Sequence, residues 1–328
     1  MDCSSCHVNP SGGGLRNSFG NIYSQNSLSA SQLPGSNKNR KLWTGEVLDY
    51  FNVGGNARYS SRMFDIDGQD DSTNLGTDRT SLYLNINVNE YISLLIDQQV
   101  APGGSINRES WIKLNYDSWY FKVGKIFQPF GWRIEDDTAF IRESTGINFN
   151  SADNGVELGF SNNDWSMQFS IVNGTAGAIE VDDGKQGSLR IARIFKDFQL
   201  GMSANKNATD LGDREMLGIF VGLNTGPVSW LFEWDQIEDS DFVALNEEQD
   251  LFFLEANYEI TKGHNLKIIY ESLSFDSVRK DRDRYSAVWE YFPIPYTQFR
   301  LGARQRDSDD ANPVLNSEEI FAQLHVYF

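Results

Sequence analysis

The sequence predicts an all-β fold, a 16-stranded antiparallel transmembrane β-barrel, and three observations lead to it. Short segments alternate apolar and polar residues: Leu82, Leu84, Ile86 and Val88 against Tyr83, Asn85 and Asn87, and Val228, Trp230, Phe232 and Trp234 against Ser229, Glu233 and Asp235. Period-2 alternation marks strands with one apolar and one polar face. The connections between segments alternate between tight turns and long polar stretches, which is the asymmetry of periplasmic turns and extracellular loops. The chain ends with Ile320, Ala322, Leu324, Val326 and Phe328 interleaved with Gln323, His325 and Tyr327, a closing strand whose outward row, Phe328 included, is apolar and whose inward row includes Tyr327. A soluble sandwich shares the alternation, but no second sheet is there to cover the apolar band.

Composition narrows the class further. The 328 residues are 40% hydrophobic and include 28 Gly, yet no run of about 18 apolar residues exists, so no helical span is expected. With 46 acidic against 28 basic side chains the net charge is -18. That balance excludes nucleic acid as a partner, which needs a basic footprint, and favours cations.

Taken in order, residues 1–48 carry Gly, Ser and Asn without sustained period, including Val8-Asn9-Pro10-Ser11-Gly12-Gly13-Gly14; they read as an irregular haem-binding segment that wraps a haem or leads into the barrel, a plug or periplasmic cap in or at the periplasmic mouth of the lumen. Residues 49–328 form the barrel, with strands expected near 53–65, 78–89, 91–100, 108–116, 118–127, 154–161, 164–173, 186–195, 197–206, 213–223, 227–236, 248–260, 264–274, 283–292, 296–306 and 317–328. Tight turns fall at Asn89-Glu90, Asn162-Asn163, Lys196-Asp197, Gly226-Pro227, Gly263-His264 and Pro293-Pro295. An even strand count puts both termini on the periplasmic side of a bacterial outer membrane. Outer-membrane lipid is then a partner of the outward face.

The only two cysteines lie in Cys3-Ser4-Ser5-Cys6-His7, the C-x-x-C-H pattern of covalent c-type haem attachment. Two thiols one short turn apart reach two vinyl groups of one porphyrin, and the adjacent imidazole is delivered to the iron. The expected cofactor is one haem c, with thioethers at Cys3 and Cys6 and His7 as proximal iron ligand. A C-x-x-C redox pair is the alternative, although no βαβ pattern surrounds it. Such attachment takes place outside the cytoplasm, so a signal peptide is expected to have been removed or left out, with Met1 an artefact of numbering.

The second axial ligand has few candidates: His325, His264, and the methionines Met63, Met167, Met202 and Met216, or an open or water-bound site. His325 is preferred because its neighbours Leu324 and Val326 face lipid, which turns its imidazole into the lumen three residues from the chain end. His264 sits in the turn Lys262-Gly263-His264-Asn265, where a solvated His is commonplace.

The longest connection, about 128–153, carries Arg133, Glu135, Asp136, Asp137, Arg142 and Glu143. Long loops in compact domains are usually functional; this one is expected to fold into the lumen as a constriction loop, an exposed solvated loop being the alternative. On inward parity, Lys113, Glu233, Asp235, Glu255, Lys267, Glu271, Glu290, Arg300 and Arg304 give a lumen of mixed charge. The outer loops carry Asp65, Asp67, Asp70, Asp71, Asp182, Asp183, Asp307, Asp309 and Asp310, which raise the local cation concentration or serve only as solvated surface.

The phrase Val123-Gly124-Lys125-Ile126-Phe127-Gln128-Pro129-Phe130-Gly131 resembles the one that phosphate-selective-type porins carry before their constriction loop. The acids in this loop stand where an anion pore would concentrate Lys and Arg. An N-terminal C-x-x-C-H followed by a 16-strand porin resembles the cytochrome-porin fusions of iron-oxidising bacteria. That resemblance implies an outer-membrane monohaem electron-transfer protein, a ferrous-iron:cytochrome oxidoreductase in reaction terms. Electrons pass between ferrous iron or another small cation and a periplasmic electron-carrier cytochrome. Two further readings stand beside it: a diffusion porin with an accessory haem, and a barrel sheath for a separate multihaem cytochrome. A haem near one end cannot bridge a hydrocarbon core of about 30 Å, so a small donor has to reach it through the lumen.

Overall fold

The computed structural model describes residues 3–33, 42–66, 68–242, 245–309 and 312–328. Met1, Asp67 and Asp310 of the residues singled out above lie outside them.

The described strands are β1 (Glu46–Leu48), β2 (Phe51–Ile66), β3 (Ser72–Asn87), β4 (Ile92–Ala101), β5 (Ile106–Tyr116), β6 (Trp119–Ile126), β7 (Asp153–Ser161), β8 (Trp165–Val172) and β9 (Gln186–Ile194). They continue as β10 (Phe198–Thr209), β11 (Gly212–Asn224), β12 (Val228–Phe242), β13 (Leu245–Thr261), β14 (His264–Phe275), β15 (Arg282–Tyr291), β16 (Thr297–Ser308) and β17 (Ser317–Tyr327). From β2 onward each strand pairs antiparallel with the next. β17 then returns to β2, from Ser317↔Ile66 to Tyr327↔Asn56. Sixteen strands thus close the wall, and β1 is one extra strand laid on the start of β2 through Glu46↔Asn52 and Leu48↔Phe51. Closure leaves no edge in the wall and satisfies the backbone within it, which hydrocarbon demands. Among the described residues no helix is long and apolar enough to cross a membrane.

The alternation decides the two faces. Leu82, Leu217, Leu301 and Ile320 stand out from the wall more than half exposed, whereas Ser203, Glu233, Asp235 and Tyr327 face inward and are buried. The C-terminal register follows the expected parity, with Phe328 at 44% exposure and Tyr327 at 1%. The inward charged set named above is likewise turned into the lumen, where Lys267 lies 3.5 Å from Glu255 and 3.6 Å from Glu290, and Arg300 3.2 Å from Glu290.

Loop lengths depart from expectation. β10 and β11 are joined only by Asp210 and Leu211, and β4 and β5 by residues 102–105. β3 begins at Ser72 and β12 runs to Phe242, in stretches expected to be loop. Beyond the hydrocarbon neither face of a strand needs to be apolar, so alternation fades while the neighbouring strand still supplies backbone partners.

Candidate functional site

The N-terminal segment folds on itself before it meets the wall. The amides of Cys6 and His7 both donate to the Cys3 carbonyl, at 3.2 and 3.0 Å, closing a single turn that brings Cys3, Cys6 and His7 together. The chain then reverses through Gly12, Gly13 and Gly14, all in the left-handed region that glycine tolerates. His7 pairs with Arg16 across the reversal, the Val8 amide donating to the Leu15 carbonyl and the Asn17 amide to the Cys6 carbonyl. Asn17 caps the helix α1 (Ser18–Tyr23), accepting from the Gly20 amide at 2.9 Å. Its amide group donates to the carbonyls of Ser4 and Ser5 at 3.0 and 3.1 Å, clamping the cysteine turn to the helix. Gly20 is required there, since a Cβ would lie 2.2 Å from the Cys6 carbonyl oxygen.

This folded unit sits inside the end of the barrel that carries the tight turns. Leu15 is buried against Tyr83, Leu95, Trp111, Ile126 and Val172. Asn9 donates to both carboxylate oxygens of Glu109, at 2.9 and 2.8 Å, and accepts from Lys122 Nζ at 3.2 Å. Gln168 donates to Ser11 Oγ at 3.0 Å, and Tyr296 to Gln25 Oε1 at 2.7 Å. The Ala30 and Ser31 amides donate to the carbonyls of Phe292 and Pro293 in the β15–β16 turn. Contacts therefore run from β5, β6 and β8 across to β16, and the segment spans the mouth.

Residues 127–152, with the one-turn helix α2 (Phe140–Glu143), enter the lumen from the opposite side. Phe130, Ala139, Phe140, Ile141 and Ile147 pack on inward Met216, Ile237, Leu251 and Phe253. The loop backbone is pinned to the wall: the Trp132 amide donates to Glu233 Oε2 at 2.7 Å and the Gly131 amide to Ser203 Oγ at 2.9 Å. Its charged residues pair in sequence. Glu135 meets Arg300 at 3.0 Å and Arg58 at 3.3 Å; Asp136 meets Arg304 at 2.6 Å and Arg284 at 3.2 Å; Asp137 meets Arg79 at 3.4 Å. Arg133 donates to the Gly12 carbonyl and so ties the loop to the N-terminal segment. Arg142 is buried and Glu143 is exposed.

Burial alone would raise the acids of this loop, but Arg300 and Arg58 hold the Glu135 carboxyl, and Arg304 and Arg284 that of Asp136, well below the usual range. For Asp137 burial outweighs Arg142 and Arg79, and its carboxyl is pushed up. Burial, with the charges of Arg16 and Arg133, brings His7 down to about 4, so its imidazole is neutral at physiological pH. Burial raises the Cys6 thiol.

Between the segment and the wall lies a cavity of about 320 Å³. His7 and His325 both line it, with Arg16, Arg58, Arg79 and Arg133. His325 Nδ1 lies 2.9 Å from Gln298 Oε1, whereas His325 Nε2 and His7 Nδ1 are buried without a hydrogen-bond partner. Cys3 and Cys6 are half-buried thiols, not joined in a disulfide. His264 does not line this cavity: it stacks beside aromatic neighbours, 4.3 Å from the Tyr291 ring and 5.8 Å from that of Trp289. Among the described residues no three His, Cys, Asp or Glu side chains converge to hold a bare metal ion. Of the cavity arginines only Arg133 stands out in the sequence; Arg16, Arg58 and Arg79 do not, although the inward parity of Arg58 on β2 is a signal for it.

No protein-family model matches the sequence, and no curated protein matches it. The fold is similar to that of solved outer-membrane porins. An anion-selective porin from Comamonas acidovorans superposes with a TM-score of 0.69 at 12% identity, over 85% of this chain and 99% of that one. A loop-deletion mutant of OmpT, an outer-membrane protein of Vibrio cholerae, gives 0.67 at 12% identity, over 85% and 100%. The outer-membrane channel DcaP of Acinetobacter baumannii gives 0.64 at 12% identity, over 85% and 97%. At such identity the likeness is one of fold: a closed 16-strand porin-type barrel.

Proposed function

We propose that this is an outer-membrane electron-transfer protein that carries one covalent haem c on Cys3 and Cys6, with His7 as proximal and His325 as distal axial ligand. Its tight turns and both termini face the periplasm. Electrons pass between a small soluble donor, ferrous iron, reaching the haem through the lumen, and a periplasmic electron-carrier cytochrome. The observation that carries this reading is the shared cavity: the imidazole of the C-x-x-C-H motif and that of His325 both line it, each with a buried ring nitrogen lacking a partner.

The residues present suit the group. Two thiols stand on one turn beside a neutral imidazole, the form that donates to iron. Asn17 and Gly20 keep that turn rigid on α1, and Gln298 orients the His325 ring. When bound, the haem would supply a one-electron centre whose potential follows its axial ligands and surroundings. The segment and the loop restrict the lumen around it, so only small solutes would reach the site.

A diffusion porin with an accessory haem is the second reading, favoured by the likeness in fold to an anion-selective porin and to the channel DcaP. A pyridine-haemochrome spectrum with intact mass tests the first premise: one haem bound covalently in the wild-type chain, none in Cys3→Ala with Cys6→Ala, while heat-modifiable gel mobility persists. Reduction of that haem by added ferrous ions on a catalytic timescale supports electron transfer. A haem inert to ferrous ions, together with open-channel conductance in planar bilayers, favours the porin.

A further inference from the structure

The cavity shared by His7 and His325 holds a concentration of positive charge that the axial ligands do not explain. Arg16, Arg58, Arg79, Arg133 and Lys267 line it, against only Glu135 and Glu290, in a chain of net charge -18. Lys267 is matched by Glu255 and Glu290. The guanidinium groups are matched only in part, Arg79 meeting Asp137 at 3.4 Å. Arg58 shares Glu135 Oε1 with Arg300, and its Nε is buried without a partner. The Arg133 side chain is 7% exposed; its Nε and Nη2 have no acceptor, Nη2 lying 3.7 Å from a Glu109 carboxylate that already accepts from Asn9, Trp111 and Phe127. Arg16 lies over the Tyr327 ring, and among the described residues no carboxylate pairs with it. A buried donor without an acceptor is costly, and a guanidinium fork is shaped to receive a carboxylate through two hydrogen bonds.

The cavity of about 320 Å³ leaves space for such an acceptor beside these side chains. Gly13 packs directly on Arg133, where a Cβ would lie 3.1 Å from the guanidinium carbon and crowd it. We infer that Arg16, Arg58, Arg79 and Arg133 form a carboxylate-binding cradle that receives the two propionates of an iron protoporphyrin seated between His7 and His325. The identity of the anion rests on the haem reading above; the recognition of carboxylates does not. A free dicarboxylate has the same chemistry but would leave both orphaned imidazole nitrogens unused.

The test separates the two claims. The full-length chain with Cys3→Ser and Cys6→Ser, which cannot form thioethers, is titrated with iron protoporphyrin IX and with its dimethyl ester, following the Soret band. The acid is expected to bind roughly tenfold or more tightly than the ester, as loss of charge-assisted hydrogen bonds implies. Arg58→Gln and Arg79→Gln should each narrow that ratio, while Arg58→Lys should keep part of it. Equal affinity for acid and ester, or binding of neither by a heat-modifiable barrel, overturns the cradle. Succinate that competes with the porphyrin acid while the ester binds equally well would assign the arginines to a free dicarboxylate instead. Covalent haem in the wild-type chain is read separately by haemochrome, so the haem reading can fail while the cradle stands, and the reverse.

Discussion

The guanidinium of Arg16 lies over the ring of Tyr327, its central carbon 4.2 Å from the ring centroid. The first folded segment of the chain is thus stacked on its last strand, at a position where Tyr327 is fully inward and Phe328 fully outward in register. The amides of Gly55 and Phe328 donate to each other's carbonyls across the closing seam, at 3.1 and 3.0 Å.

Replacing Phe328 by Ser is expected to lower the yield of assembled barrel far more than Tyr327→Ser. The first removes an apolar lipid contact worth about 1–2 kcal/mol; the second removes a ring that meets Arg16 and His325 inside the barrel. Heat-modifiable, membrane-extracted protein measures both, and equal losses would mean the register is shifted by one residue.

If the proposed haem is held by His325, His325→Ala is expected to move its spectrum toward high spin, because water or a weaker ligand would replace an imidazole. His264→Ala should leave the spectrum unaltered, since His264 stacks on Tyr291 outside the cavity. A shift in His264→Ala alone would exchange the two assignments.

Asp136→Asn is expected to loosen the inserted loop by roughly 1–3 kcal/mol, the worth of a charge-assisted contact, and to raise conductance in planar bilayers. The loss is limited because Arg284 keeps Glu271 and Arg304 keeps Glu319. The folded-state carboxyl of Asp136 is depressed, so its contribution is complete above the ordinary carboxylate value of about 3.9 and disappears only as pH falls through the lower folded value. Conductance of the wild-type chain should accordingly stay level from pH 7 to about 5. An increase within that window would locate the latch elsewhere.

Gly20→Ala is expected to displace the Cys6 carbonyl and detach the cysteine turn from α1 without unfolding the wall. Limited proteolysis should then cleave within residues 3–33 while the barrel fragment stays intact. Full resistance to cleavage would show that the turn tolerates the methyl group.

Much of the wall was legible because a strand between lipid and water must alternate: Leu82, Leu84 and Ile86 could face only one way. Strand ends were less so, since residues 72–74 and 238–241 are polar on both faces and pair for the sake of their backbones. The charges of residues 133–137 were visible as a cluster, but not that Glu135, Asp136 and Asp137 would meet arginines of β2, β3, β15 and β16. Such pairings join residues more than 50 apart in sequence and depend on barrel curvature. Leu15 was also opaque, a lone apolar residue in a Gly-rich run that becomes an anchor only once Trp111 and Tyr83 surround it.

The short strand β1, laid on β2 just ahead of the seam, sets how the molecule bears a pull on its N-terminus. Over residues 3–33 the segment holds the wall mainly through side chains, among them Asn9, Ser11 and Arg16, which are expected to rupture one after another under small loads. At Glu46 the tension passes into β1 and then into β2, whose neighbours on both sides are long antiparallel ladders loaded in shear. The plug is a compliant element and the wall a stiff one, so a stretching experiment should record a series of weak ruptures followed by a single strong one.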